Sequence, residues 1–377
     1  MTEFFPYEHL TWPEVDSLPR HTPLLLPLGN GYPLDRIVKG FGNPERVGLL
    51  PALPFGWRGS GLAVPPTVLG QVLKNLVTSL QDRGFTQVYV LVPPGVDAGL
   101  DRNWIASPRM VRTESPTLLP PNSERGKVIL APIGHTEQHG YHLPLSVDTV
   151  LIDHICRGVV QKVPGRAYAL PVMPYGVSTH CTSFSGTVNV GGRAFEDFWL
   201  AVVDALVVRG FQEFYLLSGH GGNVSFLVNV VKYAGERFPH IFCATSWLYL
   251  SGPEGTAALQ RYRQSPLGGM GHACELETSM FLFLQPELVH MERVVDEMNF
   301  ITTPSYYMDW MEGGALIANP PWEDDTITGS YGTGSLGTAE KGKLWLDAAI
   351  AEKVGHVAEI QEQHRRRAER RLAAGLK

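Results

Sequence analysis

A short stretch near the middle of the chain, 133–148 (IGHTEQHGYHLPLSVD), brings Glu137, His139, His142 and Asp148 within a dozen residues of one another. Residues two apart in an extended segment point the same way, so Glu137 and His139 can face one cavity. The His-Leu-Pro that follows turns the chain and lets Asp148 return there. Two later segments carry the same residue types: LSGHGGN at 217–223, with His220, and HACELETS at 272–279, with His272, Glu275 and Glu277. Glu275 and Glu277 cannot share a helical face, so at most one of them points into a site. Carboxylates and imidazoles without a thiolate pattern suit divalent ions such as zinc or manganese. A carboxylate shared by two such ions makes a hydrolytic centre that delivers hydroxide near neutral pH and polarises a carbonyl. Two blander readings compete: a polar loop with surface histidines, and a glycine-rich phosphate cradle around His220. The cradle has no lysine partner and no GxGxxG pattern.

These residues need elements to hold them. The run KVILAPI (127–133) reads as a buried strand ending just before the first cluster. From there strands alternate with helices: strands at 127–133, 168–173, 213–218 and 240–247, helices at 148–162, 194–209, 222–236 and 272–284. That alternation predicts a mostly parallel sheet covered on both faces, with its active site beyond the carboxyl ends of the strands. Glu137, His139 and His220 fall in such positions, and His272 on the lead-in to the last helix. Residues 285–336 read as a long Gly/Pro/aromatic loop region, and YGTGSLG (331–337) as a loop over the site or against a neighbouring subunit. A final helix runs from about residue 338, and its basic end, HRRRAERR, reads as a solvated tail.

The first part of the chain repeats this pattern. LLLPLG (24–29) parallels LAPIG (130–134), and LPALPFG (50–56) parallels LPVMPYG (170–176). Apolar helical stretches follow at 68–83 and 195–209. Each ends in Arg-Gly-Phe, with the glycine in the helix-terminating position, and runs into a strand, VYVLV at 88–92 or FYLL at 214–217. The repeat has lost the chemistry: Asn30-Gly31-Tyr32-Pro33 replaces the Glu-x-His turn, and Pro94 takes the register of His220. Residues 1–115 therefore read as a degenerate half-domain that extends the sheet or covers an edge. The proline-rich stretch 97–126 joins the copies, with the linker proper at 116–126, and 127–377 forms the competent domain.

Bulk properties narrow the classes. The chain has 377 residues, 44% hydrophobic and 18% charged, with a net charge of −6. Nothing here points to nucleic acid or an anionic membrane. No apolar run approaches the length of a membrane span, and the N-terminus lacks the basic start and apolar core of a signal peptide. The four cysteines, Cys156, Cys181, Cys243 and Cys274, are scattered and show no CxxC. A cytoplasmic setting with free thiols is the expectation.

The motifs GHTEQHGYHLP…D (134–148), SGHGGN (218–223) and His272 with Glu277-Thr278-Ser279 resemble the creatininase (creatinine amidohydrolase) family, over about residues 125–355. HLTWPEV (9–15) is similar to the usual start of such domains. The resemblance implies a three-layer α/β fold, a mostly parallel sheet covered by helices on both faces, and a homo-oligomer, commonly a hexamer. It implies one metal held by Glu137, Asp148 and His220 and another by His139, Asp148 and Glu277. Asp148 would bridge two divalent ions, zinc or manganese, with iron a third candidate. His272 matches the catalytic histidine that carries a proton to the leaving nitrogen. The creatinine-cleaving members have a glutamate where this chain has Gly222 and a second tryptophan where it has Gly268; Trp247 matches their first.

The expected function is a two-metal hydrolase that cleaves a cyclic or linear C–N amide bond in a small-molecule substrate other than creatinine. Ser178, His180, Gly221, Gly222 and Trp247 are substrate-contact candidates; His142 and Asn223 are expected to orient ligands from behind. A cyclic-ketone or lactone hydrolase on the same centre, and an inactive metal-binding scaffold, are the alternatives.

Overall fold

The computed structural model describes residues 2–100, 105–106, 117–310 and 314–375; part of the expected linker, including the boundary at 115–116, lies outside the described residues. The first half contains β1 (Glu3–Pro6), α1 (Trp12–Asp16), β2 (Leu24–Pro27), α2 (Leu34–Gly40), β3 (Arg46–Leu49), α3 (Pro66–Gln81), β4 (Val88–Leu91) and β5 (Ile105–Ala106). The second contains β6 (Val128–Ile133), α4 (Val147–Lys162), β7 (Ala167–Ala169), α5 (Gly192–Val208), β8 (Glu213–Ser218), α6 (Gly221–Arg237) and β9 (Phe242–Thr245). It continues with α7 (Pro253–Tyr262), β10 (Met270–His272), α8 (Glu275–Leu284), β11 (Tyr331–Gly332) and α9 (Ala339–Ala373).

Two parallel sheets result, ordered β1-β3-β2-β4-β5 and β7-β6-β8-β9. The first half thus builds a sheet of its own and does not extend the second one. Both sheets place their most apolar strand, β2 or β6, between the same two neighbours in sequence order. The Arg-Gly-Phe helix ends also match: Gly84 and Gly210 have φ of +87° and +90°. Phe85 N–H donates to Leu80 O, and Phe211 N–H to Leu206 O, the bond of a helix closed by a left-handed glycine.

The apolar run of β6 explains its central place. Every residue in it is buried, because a parallel strand has neighbours on both faces. Ile129, Ala131 and Ile133 join one core with β2, α3 and α5, while Val128 and Leu130 join another with α4, α8 and α9. One core therefore runs from the first sheet through α3 and α5 to the second. In register, Ile133 pairs with Ser218, so the chain leaves β6 and β8 side by side.

Several boundaries move. β7 stops at Ala169, since Pro171 cannot donate to a ladder; a single bridge, Ile133 to Met173, continues the pairing. β9 is shorter than 240–247. The helix expected from residue 272 begins at Glu275, and His272 ends β10, paired antiparallel with β11. Ala273, with φ of +50°, turns the chain between them, and no helix includes that conformation. His272 is thus on a strand and not on a flexible lead-in. The loop expected at 331–337 begins as strand β11 and continues as a short 3-10 turn over Gly334–Leu336. Among the described residues no helix is long and apolar enough to cross a membrane.

α8 carries Glu277 and is held by α9. A Cβ built on Gly342 of α9 would lie 1.9 Å from the Ser279 carbonyl oxygen of α8. Gly342→Ala is therefore expected to cost about 2 kcal/mol or more, read as a lowered urea midpoint. An unchanged midpoint would show that the two helices are not locked by this contact.

Candidate metal centre

The segment after β6 runs between the first turn of α4 and the end of β8. Gly134 N–H donates to Met173 O, and Gly219 N–H to Ile133 O. Asn223, in the first turn of α6, ties three crossings together. Its Oδ1 accepts from Val177 N–H, and its Nδ2 donates to Gly134 O and Ser218 Oγ. The glycines around His220 serve close approach. A Cβ at Gly219 would lie 2.3 Å from Asp148 O, and one at Gly222 2.4 Å from both His220 Nε2 and Val177 O.

On this frame Glu137, His139, Asp148, His220 and Glu277 converge, none more than 4% exposed. Asp148 lies in the middle. Its Oδ1 is 3.3 Å from His139 Nε2, and its Oδ2 is 3.3 Å from His220 Nδ1. His220 Nδ1 is also 2.8 Å from Glu137 Oε2, and His139 Nε2 is 3.9 Å from Glu277 Oε1. The far nitrogens of both rings face carbonyls: His139 Nδ1 lies 3.1 Å from Glu137 O, and His220 Nε2 lies 3.0 Å from Val177 O. Each ring thereby points its other nitrogen inward.

Burial disfavours every charge in this cluster, and the groups answer in pairs. Burial opposes ionisation of Glu137, yet neighbouring His220 outweighs it and holds the carboxyl well below its usual range. Burial likewise opposes charge on Asp148, but His139 and His220 bring it down to about 2. Burial would lower His139; Asp148 and Glu277 overcome it and raise the imidazole to about 9. Glu277 is the exception: burial, only partly offset by His139, pushes it up to about 7. A third buried carboxyl thus crowds two carboxylate–imidazole pairs in a dry place, and a cation there would let all three ionise.

The donors fit that demand. Glu137 Oε2, His139 Nε2 and Asp148 Oδ2 are buried and form no well-directed hydrogen bond, though each faces an imidazole or carboxylate of the cluster. Unpaired buried polar atoms are costly, and here they converge on the same space. Among the described residues, His139, His272 and Glu277 form one group whose ligand atoms lie within 4.8 Å of one another; His135, Glu137 and His220 form a second. An oxygen and nitrogen donor set of this kind suits zinc or manganese.

The family model described as creatinine amidohydrolase matches residues 117–357. The chain belongs to the creatininase family. Creatinine amidohydrolase of Pseudomonas putida is 26% identical over 59% of this chain and 85% of that enzyme. The 3-dehydro-scyllo-inosose hydrolase of Thermotoga maritima is 29% identical over 63% of this chain and 78% of its own. A mycofactocin precursor peptide peptidase of Mycobacterium ulcerans is 31% identical over 61% and 84%. A crystal structure of creatinine amidohydrolase matches with a TM-score of 0.53 at 25% identity, over 63% of this chain and 92% of that one. A creatininase described as the Mn form gives 0.53 at 23% identity, over 64% and 93%. One of Zn-Zn type gives 0.51 at 24%, over 63% and 91%. This chain is a creatininase-family amidohydrolase, and its core holds clusters of residues able to ligate a metal ion.

The remaining residues singled out in the sequence fall around that cluster. His272 Nε2 donates to Gln138 O at 2.7 Å and its ring lies 4.1 Å from that of His139. This leaves Nδ1 as the nitrogen with a free lone pair. Ser178 Oγ donates to Glu137 Oε1 at 3.0 Å, and His180 Nε2 lies 4.0 Å from the same oxygen. Trp247 is 49% exposed and lies over Gly221, in contact distance of a Cβ there. His142 Nε2 meets Thr278 Oγ1 at 2.9 Å, so it steadies the start of α8 beside Glu277. Glu275 turns away, paired with Lys341 at 2.6 Å and accepting from Gln264 and Ser265 N–H.

Three neighbours had no assigned part in the sequence reading. The His135 ring lies tilted 4.6 Å from that of His220, and its Nδ1 accepts from Gly176 N–H. Its place inside the motif was the available signal. Trp322 lies 4.6 Å from His180 and 4.9 Å from His272; only its type marked it, within a loop without periodicity. Trp12, from the first half, lies 5.4 Å from Tyr141 and 5.5 Å from Phe184, and its Nε1 donates to Thr328 O.

The two glutamates of α8 are thus separable. Glu275→Gln is expected to cost about 2 kcal/mol, because the buried Glu275 carboxylate pairs with half-buried Lys341 and accepts from two backbone N–H groups, while metal content stays that of the parent. Glu277→Gln is expected to lower metal content with a smaller change in stability. Equilibrium denaturation and elemental analysis of both variants decide it, and equal behaviour would contradict the division.

Proposed function

We propose that this chain is a two-metal hydrolase that cleaves a C–N amide bond, cyclic or linear, in a substrate other than creatinine. Glu137, Asp148 and His220 would hold one divalent ion, and His139, Asp148 and Glu277 the other. The observation that carries this reading is Asp148, whose two oxygens each face a different buried imidazole at 3.3 Å. That is the disposition of a bridging carboxylate. Ions so held supply a hydrolytic water and polarise the scissile carbonyl.

The chain's own side chains do the rest. Gln138 O holds the His272 ring by its Nε2 proton. Nδ1 is left to take a proton and pass it to the departing nitrogen. Ser178 fixes Glu137. Trp322, packed against His180 and His272, keeps water from that side. His180 and Trp247 border the opening and contact the substrate. Gly222 supports a substrate other than creatinine, because a Cβ there would collide with His220 Nε2 and Val177 O. The glutamate of the creatinine-cleaving enzymes has no room at that position. The peptide-cleaving relative breaks the same class of bond. The inosose hydrolase keeps ring opening of a cyclic ketone as the second reading.

Exhaustive chelation with metal loss verified, followed by zinc or manganese, is expected to abolish and restore turnover in a panel of cyclic amides, short peptides, cyclic ketones and lactones. Asp148→Ala should lose roughly 10³-fold in rate, since such ions supply several kcal/mol and each ~1.4 kcal/mol is tenfold. Activity that survives verified metal removal sinks the proposal. Turnover confined to ketones or lactones favours the second reading. Metal binding without turnover of any of them leaves a scaffold.

A further inference from the structure

None of the proposed ligands comes from the first half of the chain, yet its described residues touch the loop that faces Glu137. Asn75, Ser79 and Arg83 lie at spacings of four from α3 into its end, on one face. Asn75 Nδ2 donates to Val190 O at 2.5 Å, Ser79 Oγ accepts from Asn189 N–H at 3.1 Å, and Arg83 Nη1 donates to Ser183 O at 3.2 Å. From α1, Asp16 Oδ1 accepts from Ser185 Oγ at 2.7 Å. A groove of about 300 Å³ runs along this contact, lined by Asn75, Ser79, Arg83, Thr187 and Asn189 among others. Hydrogen bonds therefore define the loop's position there.

The loop passes that position on. Asn189 Nδ2 donates to Ser178 O at 2.6 Å, while its Oδ1 accepts from Gly191 N–H. Ser178 Oγ donates to Glu137 Oε1 at 3.0 Å. On the other side, Val188 N–H donates to Thr136 O, and Thr187 Oγ1 accepts from Gln138 N–H. Residues 187–190 are held between α3 and the segment that carries Glu137.

We infer that α3 of the ligand-free half is a positioning device for the metal centre, with Ser79 and Asn189 acting through Ser178 to fix the Glu137 carboxylate. Partners of this kind, one step behind a metal ligand, are worth about 10- to 100-fold in metal affinity. This rests on the proposal that Glu137 is a metal ligand. The contact accounts for a half-domain that carries no chemistry: its helix does for the loop what a ligand residue could not.

The test is zinc affinity of the full chain by chelator competition, alongside the urea midpoint, in five variants. Ser79→Ala removes the acceptor for Asn189 N–H, and Asn189→Asp removes the donor to Ser178 while keeping the acceptor for Gly191. Each is expected to weaken zinc binding about tenfold or more, while Ser79→Thr, which keeps the oxygen, stays within about twofold of the parent. Val77→Ala trims a buried α3 side chain that has no part in the relay. It is expected to lower the midpoint and leave zinc affinity unchanged. If Val77→Ala weakens zinc as much as Ser79→Ala, the half is only a structural support and the inference falls. It also falls if Ser79→Ala and Asn189→Asp bind zinc like the parent while Glu137→Gln does not. If Glu137→Gln binds zinc like the parent, the metal assignment fails and takes this inference with it.

Discussion

Asp148 stands between two imidazoles, with Glu137 and Glu277 on the flanks, and the group is out of contact with water. That crowding of negative charge is what the second half has to accommodate. A buried carboxylate is tolerated only when something compensates it. The two histidines supply part of the compensation by holding protons more tightly than usual. Glu277 gives way instead and holds its own proton up to about pH 7. Cations would relieve all of these groups at once, and Glu137 Oε2, His139 Nε2 and Asp148 Oδ2, which form no well-directed hydrogen bond, point to where the relief is needed.

The surrounding architecture follows from keeping that group together. Four separate chain segments deliver it, so the strands must end at one level and the loops must cross closely. The register of β6 on β8 meets the first demand. Glycines meet the second: at 219 and 222 there is no room for even a methyl group. Asn223 replaces water as the partner of two loop backbones and of the Ser218 hydroxyl. The left-handed Ala273 is a local cost, since an L-residue rarely adopts that conformation. It lets a strand carrying His272 pass directly into a helix carrying Glu277.

Much of this could be read in the chain. The strand at 127–133 and the helices at 148–162, 194–209 and 222–236 showed in their apolar periods, and the structure has them within two residues. The clusters at 137–148, 220 and 272–277 stood out because carboxylates and imidazoles recur at the ends of apolar runs. Other features were not local in sequence. Nothing in residues 66–81 says that Ser79 will meet a loop more than a hundred residues away. Trp322 looked like one aromatic among several in a stretch without periodicity. His272 was expected to start a helix because no local rule reveals a left-handed alanine. That the first half would form its own sheet was equally hidden, since strand order depends on which edges meet in three dimensions.

The single core that runs from β2 through α3 and α5 to β6 also bears on how the enzyme can move. Two lobes with a wet seam between them can hinge, and many enzymes admit and release ligands that way. Here apolar side chains from both halves pack together beside the polar contacts of α3, so opening the seam would expose apolar surface. That packing disfavours a hinge between the two sheets. The parts left to vary beside the cluster are the half-exposed Trp247 and the loop that carries Trp322. Differences in what such an enzyme accepts should accordingly arise there, while the two sheets stay fixed.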